Sequence, residues 1–224
     1  MNVRLISHTI ACADDMNHVA EMNDLVAFCA RVSNPSNQYN TETADKLIGY
    51  LIKWKHWSPF EMVNICLEIE TTRDIARQIL RHRSFSFQEF SQRYADPVKE
   101  LTFETRKARL QDVKNRQNSI ETENEALQQD WEHHQNIVIQ QAKLAYEWAM
   151  QHGIAKEVAR AVLPEGLTTS RMYMNGTLRS WLHYIDIRSD KATQKEHRMI
   201  AWECAKVIAE IFPFINNFSH NETE

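Results

Sequence analysis

The sequence predicts an α+β fold, a mostly helical single domain with a strand built into it, and three observations carry that prediction. The chain has 224 residues and is 43 % hydrophobic, enough to bury one core without disulfides or metals. Apolar residues recur at helical spacing through most of the chain. One segment alternates with period two instead, the pattern of a half-buried strand.

In chain order, the first helix is expected over 14–31, where Val19, Met22, Leu25, Val26 and Cys29 share a face. Asn34 to Asn37 reads as a loop. A second helix over 41–57 carries Ala44, Leu47, Ile48 and Leu51 on one side and is broken at Trp57-Ser58-Pro59. The alternating strand is 62–70, with Val63, Ile65, Leu67 and Ile69 pointing one way. Thr71 and Thr72 offer hydroxyls to cap a helix over 73–81. From 83 to 103 no period holds, so loop and extended chain are expected, and Pro97 argues against a central strand. The stretch around 107–136 is read as a polar surface insertion. It runs into a long helix over 121–151 whose buried side would be Leu127, Trp131, Val138, Ala145 and Trp148, ended at Gly153. Short helix 154–163 stops at Pro164, and helices 176–187 and 192–212 complete the chain, with Pro213 as the stop.

Composition bounds the function. The formal net charge is −4, which excludes a general affinity for nucleic acid. No run approaches the ~18 apolar residues of a membrane span. The four cysteines have no paired or zinc-like spacing, so they read as buried reduced thiols in a cytoplasmic protein, with no metal expected. There are only four glycines, and none are clustered. A phosphate bound here must be held by side chains and not by a glycine-rich loop. Fifteen arginines against eleven lysines suit that task.

Between Arg73 and Arg93 there are five arginines and no lysine. Guanidinium forks grip phosphate oxygens in a planar, bidentate way that an ammonium cannot. Arg73, Arg77 and Arg81 fall on one helix face, which could equally be a salt-bridged surface. The segment from Arg81 to Tyr94 interleaves cations, hydroxyls, a carboxylate and aromatic rings, a set able to stack a base and hold its phosphate.

Arg81-His82-Arg83, followed by seven residues and Ser91, resembles the signature of the flavin-dependent thymidylate synthases. Ser91-Gln92-Arg93-Tyr94 continues it. Three further segments agree in order: His56 to Glu61, Glu157 to Arg160 with Leu163-Pro164, and Leu178 to Arg188 with Gln194 to Glu196. Competing readings are another nucleotide enzyme, such as one that methylates uridine in RNA, and a non-catalytic phosphate-binding module.

The resemblance implies a helical single catalytic domain, 1–224, packed on a small antiparallel sheet. It implies reductive methylation of dUMP to dTMP, with 5,10-methylenetetrahydrofolate as carbon donor and NADPH as reductant through FAD. It further implies a homotetramer with shared sites. Carried over by position, Ser58, Arg81, His82, Arg83, Glu89, Thr177, Arg179 and His183 would contact FAD. Gln78, Arg81, Glu89, Ser91, Gln92, Arg93, Arg160 and Arg188 would contact dUMP, with Arg93 and Arg160 on the phosphate. Nearest the chemistry would be Arg188 at the pyrimidine edge, His56 (with Tyr94) beside the folate–flavin stack, and Ser91. Serine needs an adjacent base to attack, and none is visible in sequence, so Ser91 reads as a binding hydroxyl. No cysteine lies in an electropositive setting that would make it a nucleophile.

Overall fold

The structure, a computed structural model, describes residues 1–17, 19 and 21–220. It is α+β with a small antiparallel sheet. The elements are β1 (Asn2–His8), α1 (Met22–Ala30), α2 (Ala44–Lys53), β2 (Asn64–Thr72), α3 (Arg73–Ile79), β3 (Phe85–Glu89), α4 (Pro97–Glu100), β4 (Arg109–Gln111), β5 (Ser119–Glu121), α5 (Glu125–Gln151), α6 (Lys156–Ala159), β6 (Thr169–Thr177), α7 (Leu178–Arg188) and α8 (Lys195–Ala209). One sheet has the order β1-β2-β6-β3, and β4 and β5 form a separate hairpin. The chain forms two compact units. The first comprises Met1, Glu70–Arg81 and Gln88–Met172; the second comprises Asn2–Ile69, His82–Phe87 and Tyr173–Glu224.

In the second unit the core lies under α7 and α8. Trp181, Ile185, Ile200 and Cys204 are wholly buried, as are Ile65, Leu67 and Ile69 of β2. Trp181 Nε1 donates to the Ile65 carbonyl at 3.0 Å, satisfying the one polar atom of that buried ring. The alternation read in sequence is therefore the buried face of β2. The helix expected from residue 176 starts later: β6 runs to Thr177, whose hydroxyl caps α7 by accepting from the Ser180 N–H at 3.3 Å. Gly176 belongs to the strand because a Cβ there would overlap the Phe85 ring. Phe85 itself sits on β3, in a stretch expected to be irregular. The N-terminal strand β1 was not signalled by any expected element.

The first unit is built around α5. Tyr146 and Ala149 pack with Ala159 and Leu163, and with Val98, Phe103 and Ile154 at the edge. The expected buried side of this helix is wrong. Leu127 is 37 % exposed, Trp131 45 %, Val138 48 % and Trp148 56 %, and Ala145 is exposed too. The inward residues are Gln135, Ile139, Ala142, Tyr146 and Ala149. Two glutamines explain the rotation. Gln135 accepts from the Arg106 N–H at 2.8 Å and donates to its carbonyl at 2.9 Å. Gln128 does the same for Ala108 at 2.7 and 3.0 Å. Their side-chain amides replace a neighbouring strand for chain that would otherwise bury unpaired backbone groups. The polar stretch around 107–136 is thus the β4–β5 hairpin, paired Arg109↔Glu121 to Gln111↔Ser119, followed by the first turns of α5.

The capping of α3 also differs from expectation. Thr72 occupies the cap position, but its hydroxyl donates to Asp74 Oδ1 at 2.7 Å and accepts from Arg106 Nη2 at 2.8 Å. Arg106 completes the triangle on Asp74 at 2.6 Å.

Candidate active site

The anticipated site residues divide between the two units. Gln78, Arg81, Glu89, Ser91, Gln92, Arg93 and Arg160 fall in the first, and His56, Ser58, His82, Arg83, Thr177, Arg179, His183 and Arg188 in the second.

In the first unit, α3 and the turn after it carry three arginines with different fates. Arg73 is buried and lies 3.5 Å from Glu89 Oε1 and 3.3 Å from Glu165 Oε1. Arg77 spans the same two carboxylates at 3.6 and 3.5 Å. Ser170 Oγ donates to Glu89 Oε1 at 2.8 Å. Salt bridging is therefore the fate of both Arg73 and Arg77, buried for the first and on the surface for the second, and Glu165, distant in sequence, is the shared partner. Arg81, one turn on, is exposed and has no ion pair among the described residues. After β3 the chain turns at Ser91, whose Oγ accepts the Arg93 N–H at 3.4 Å, a local turn contact and not an activated nucleophile. Arg93 pairs with Glu157 at 3.1 Å, both half-exposed. Glu157 therefore serves Arg93, and Arg160, three residues along, has no acid among the described residues. Gln92 is buried, and its Nε2 has no hydrogen-bond partner, a donor that a bound acceptor would satisfy. Tyr94 is 81 % exposed.

In the second unit, two constellations form on α7. Near its start, Glu61 accepts from the Thr177 hydroxyl at 2.7 Å and from Arg179 Nη1 at 2.8 Å. Glu61 and Arg179 line a pocket of about 520 Å³ together with Trp57, Ser84, Ser180, Leu182, His183, Asp186 and Phe218. Glu61 was quoted within the His56 to Glu61 segment but not singled out. Its carboxylate, next to a proline-started turn, was the available signal. At the other end of α7, Arg188 Nε donates to His82 Nε2 at 2.8 Å. His82 is packed edge-on to Tyr184 with ring centroids 4.9 Å apart, and the Tyr184 hydroxyl lies 3.2 Å from His197 Nε2. His56 stands against Tyr50 instead, with ring centroids 5.9 Å apart. Arg83 is exposed and unpaired among the described residues.

An imidazole that accepts from a guanidinium must be neutral. Burial, then the charge of Arg188, then His183, push His82 down to about 4. Burial, Arg188 and His82 push His197 down to about 3. The flanking Arg81 and Arg83 are not the cause. Both histidines would titrate near 6.5 in the unfolded chain, so below that pH the unfolded state takes up protons that the folded state refuses. Stability is fully present above about 6.5 and falls as pH drops toward 4 and then 3. Urea midpoints measured at descending pH are expected to fall across this window. His82→Gln, which keeps an acceptor for Arg188, is expected to flatten part of the slope; an unchanged slope would contradict the assignment.

The cysteines give no nucleophile, but they are less buried than expected. Cys204 alone is buried; Cys29 and Cys66 are half-buried and Cys12 is exposed. Burial raises the thiols of Cys29, Cys66 and Cys204, which works against thiolate formation. No helix among the described residues is long and apolar enough to cross a membrane.

With this geometry in place, the comparisons with known proteins are direct. The thymidylate synthase complementing protein family matches residues 16–214. A probable flavin-dependent thymidylate synthase of Paramecium bursaria Chlorella virus 1 is 46 % identical over 96 % of this chain and 97 % of its own length. A flavin-dependent thymidylate synthase of Synechocystis sp. is 46 % identical with the same coverage. The crystal structure of a UMP/dUMP methylase, PolB of Streptomyces cacaoi, bound with 5-Br dUMP, has the same fold. Its TM-score is 0.77 at 23 % identity, covering 96 % of this chain and 93 % of that one.

Proposed function

This chain belongs to the flavin-dependent thymidylate synthase family, and we propose that it converts dUMP to dTMP with 5,10-methylenetetrahydrofolate as carbon donor and NADPH as reductant. The observation that carries the reading is the set of arginines in the motif segments that have no acid. Arg73, Arg77, Arg93, Arg106, Arg171 and Arg179 each have a carboxylate partner. Among the described residues Arg81, Arg83, Arg160 and Arg188, all in the motif segments, have none, nor do Arg31, Arg116 and Arg198 outside them. Cations left without an internal acid are matched to anionic ligands.

FAD fits the residues present. The pocket beside Arg179 offers two aromatic walls, Trp57 and Phe218, and Arg83 offers an uncommitted guanidinium for a phosphate. Bound FAD supplies a two-electron carrier between the nicotinamide and the nascent methyl group. The chain's own part is to bind and polarise. Arg160 and Arg93 hold the dUMP phosphate, the latter by exchanging its partly exposed Glu157 contact. Gln92 and Ser91 supply polar contacts. Arg188, fixed at its Nε by neutral His82, keeps its remaining N–H groups for the pyrimidine edge, where a positive charge favours loss of the N3 proton and raises electron density at C5. The remaining carried-over contacts are Gln78, Arg81 and Glu89 for the nucleotide and Ser58, Thr177, Arg179 and His183 for the flavin, with His56 at the folate. The enzyme works as one catalytic domain in a cytoplasmic homotetramer.

The test is an anaerobic assay of dTMP formation from dUMP, the folate donor, FAD and NADPH. Methylation of tRNA without dTMP formation would overturn the reading. Within it, Arg83→Ala is expected to weaken FAD binding about tenfold or more, the size of one charge-assisted contact. Because Arg83 has no partner among the described residues, the melting temperature should not change. Equilibrium binding followed by flavin fluorescence checks both statements, and unchanged FAD affinity would remove Arg83 from the site.

A further inference from the structure

At the end of the described residues, a short segment, Phe218 to His220, is fastened to α7 and α8 beside the pocket that Phe218 lines. It lies beyond residues 16–214, the span matched by the family. Four contacts fasten it. Ser189, the buried cap residue of α7, accepts the His220 N–H at 3.0 Å; its Oγ donates to the Ile185 carbonyl at 2.7 Å and lies 3.3 Å from the Phe218 carbonyl. Trp202 Nε1, on α8, donates to the His220 carbonyl at 2.5 Å. The His220 ring sits with Nε2 3.1 Å from the Asp186 carbonyl and 3.4 Å from its carboxylate.

The latches place one ring. Phe218 lines the pocket, only half-buried, and stands edge-to-face with Trp57, centroids 6.1 Å apart. Trp57 in turn packs on Phe60, and Phe60 on Phe212, at 5.8 and 6.3 Å, so the far side of the pair is backed by core. A half-buried ring pair opening into a cavity with Arg179 and Glu61 at its other edge presents apolar faces to a flat ligand and polar groups to its rim.

We propose that the segment Phe218–His220 is a retaining wall of the cofactor pocket, and that Phe218, in edge-to-face contact with Trp57, forms with it the aromatic surface on which a planar heteroaromatic ring of FAD packs. The proposal rests on the reading that this chain binds FAD. Phe218 is a binding residue, and Ser189 and Trp202 position it without touching the ligand.

The test uses the full chain stripped of flavin, titrated with FAD, with dUMP affinity measured in parallel. Phe218→Ala is expected to weaken FAD about tenfold and to speed its dissociation by a similar factor, with dUMP affinity within twofold of the parent. Phe218→Tyr, which restores the ring, should return FAD affinity to within about threefold. Ser189→Ala, which removes the latch and leaves Phe218 in the chain, should weaken FAD in the same direction by a smaller factor. If Phe218→Ala and Ser189→Ala both bind FAD within twofold of the parent, the wall is overturned, and a lowered melting temperature without any change in FAD affinity has the same consequence. A parent protein that takes up no FAD would instead contradict the functional reading itself.

Discussion

Arg188→Ala is expected to lower dTMP formation by about a thousandfold while the chain remains folded and FAD still binds. The size follows from what the residue offers. Loss of one pre-oriented group that stabilises developing charge costs about two to three orders of magnitude in rate, and a bidentate guanidinium is among the stronger such groups. Arg188 is half-buried at the last turn of α7, where the helix dipole favours a cation. Its hydrogen-bond partner among the described residues is His82, at 2.8 Å. Removing it leaves no orphaned carboxylate, so the folded state loses little. It also removes one of the charges that hold His82 and His197 low, and both histidines should titrate at higher pH. Arg188→Lys keeps the charge but not the fork, and an intermediate loss of about ten- to a hundredfold is expected. Single-turnover dTMP formation, with melting temperature and FAD affinity as controls, separates these effects. Turnover within a few-fold of the parent in the alanine variant would dismiss the polarising role.

The sequence was most legible where one face of an element meets the core. β2 alternates cleanly because Ile65, Leu67 and Ile69 go inward. α7 and α8 were visible because their apolar stripes meet each other in the second unit. β6 carries the same two-residue pattern, with Ser170, Met172, Met174 and Gly176 buried and Arg171, Tyr173 and Asn175 exposed. Its buried side is part polar and part glycine, so a hydrophobicity reading passes over it. The individual motif residues could be named from sequence, but their partners could not. Glu165, which holds Arg73 and Arg77, lies outside every motif. The Arg188–His82 contact joins residues 106 apart in the chain, and no local spacing encodes it. Glu157, three residues before Arg160, pairs with Arg93, 64 residues away in the chain, a contact no local spacing encodes.

The misread face of α5 leads to the second large effect. Trp131→Glu combined with Val138→Glu is expected to dissociate the assembly and to abolish dTMP formation, leaving a folded subunit. The helix has two apolar stripes. One is inside the first unit, at Ile139, Ala142, Tyr146 and Ala149. The other, containing Leu127, Trp131, Val138, Leu144 and Trp148, is 37–59 % exposed. Single exposed apolar residues are ordinary, but five large ones spaced along one 27-residue helix suit a surface made for another protein. We assign a second copy of this chain as its occupant, in keeping with the proposed homotetramer. At about 25 cal/mol per Å² of apolar area removed from water, burying several such side chains against their symmetry mates contributes many kcal/mol to association. Two carboxylates placed there would face each other in a drying interface, and their desolvation is costly enough to exceed that gain. In the separate subunit both positions face water, so the substitutions should leave its melting behaviour close to that of a dissociated parent. Light scattering coupled to size-exclusion chromatography gives the mass, and circular dichroism checks the fold. The stripe would lose its assignment if the doubly charged variant kept the parent's mass and activity, or if the parent proved to be a fully active monomer.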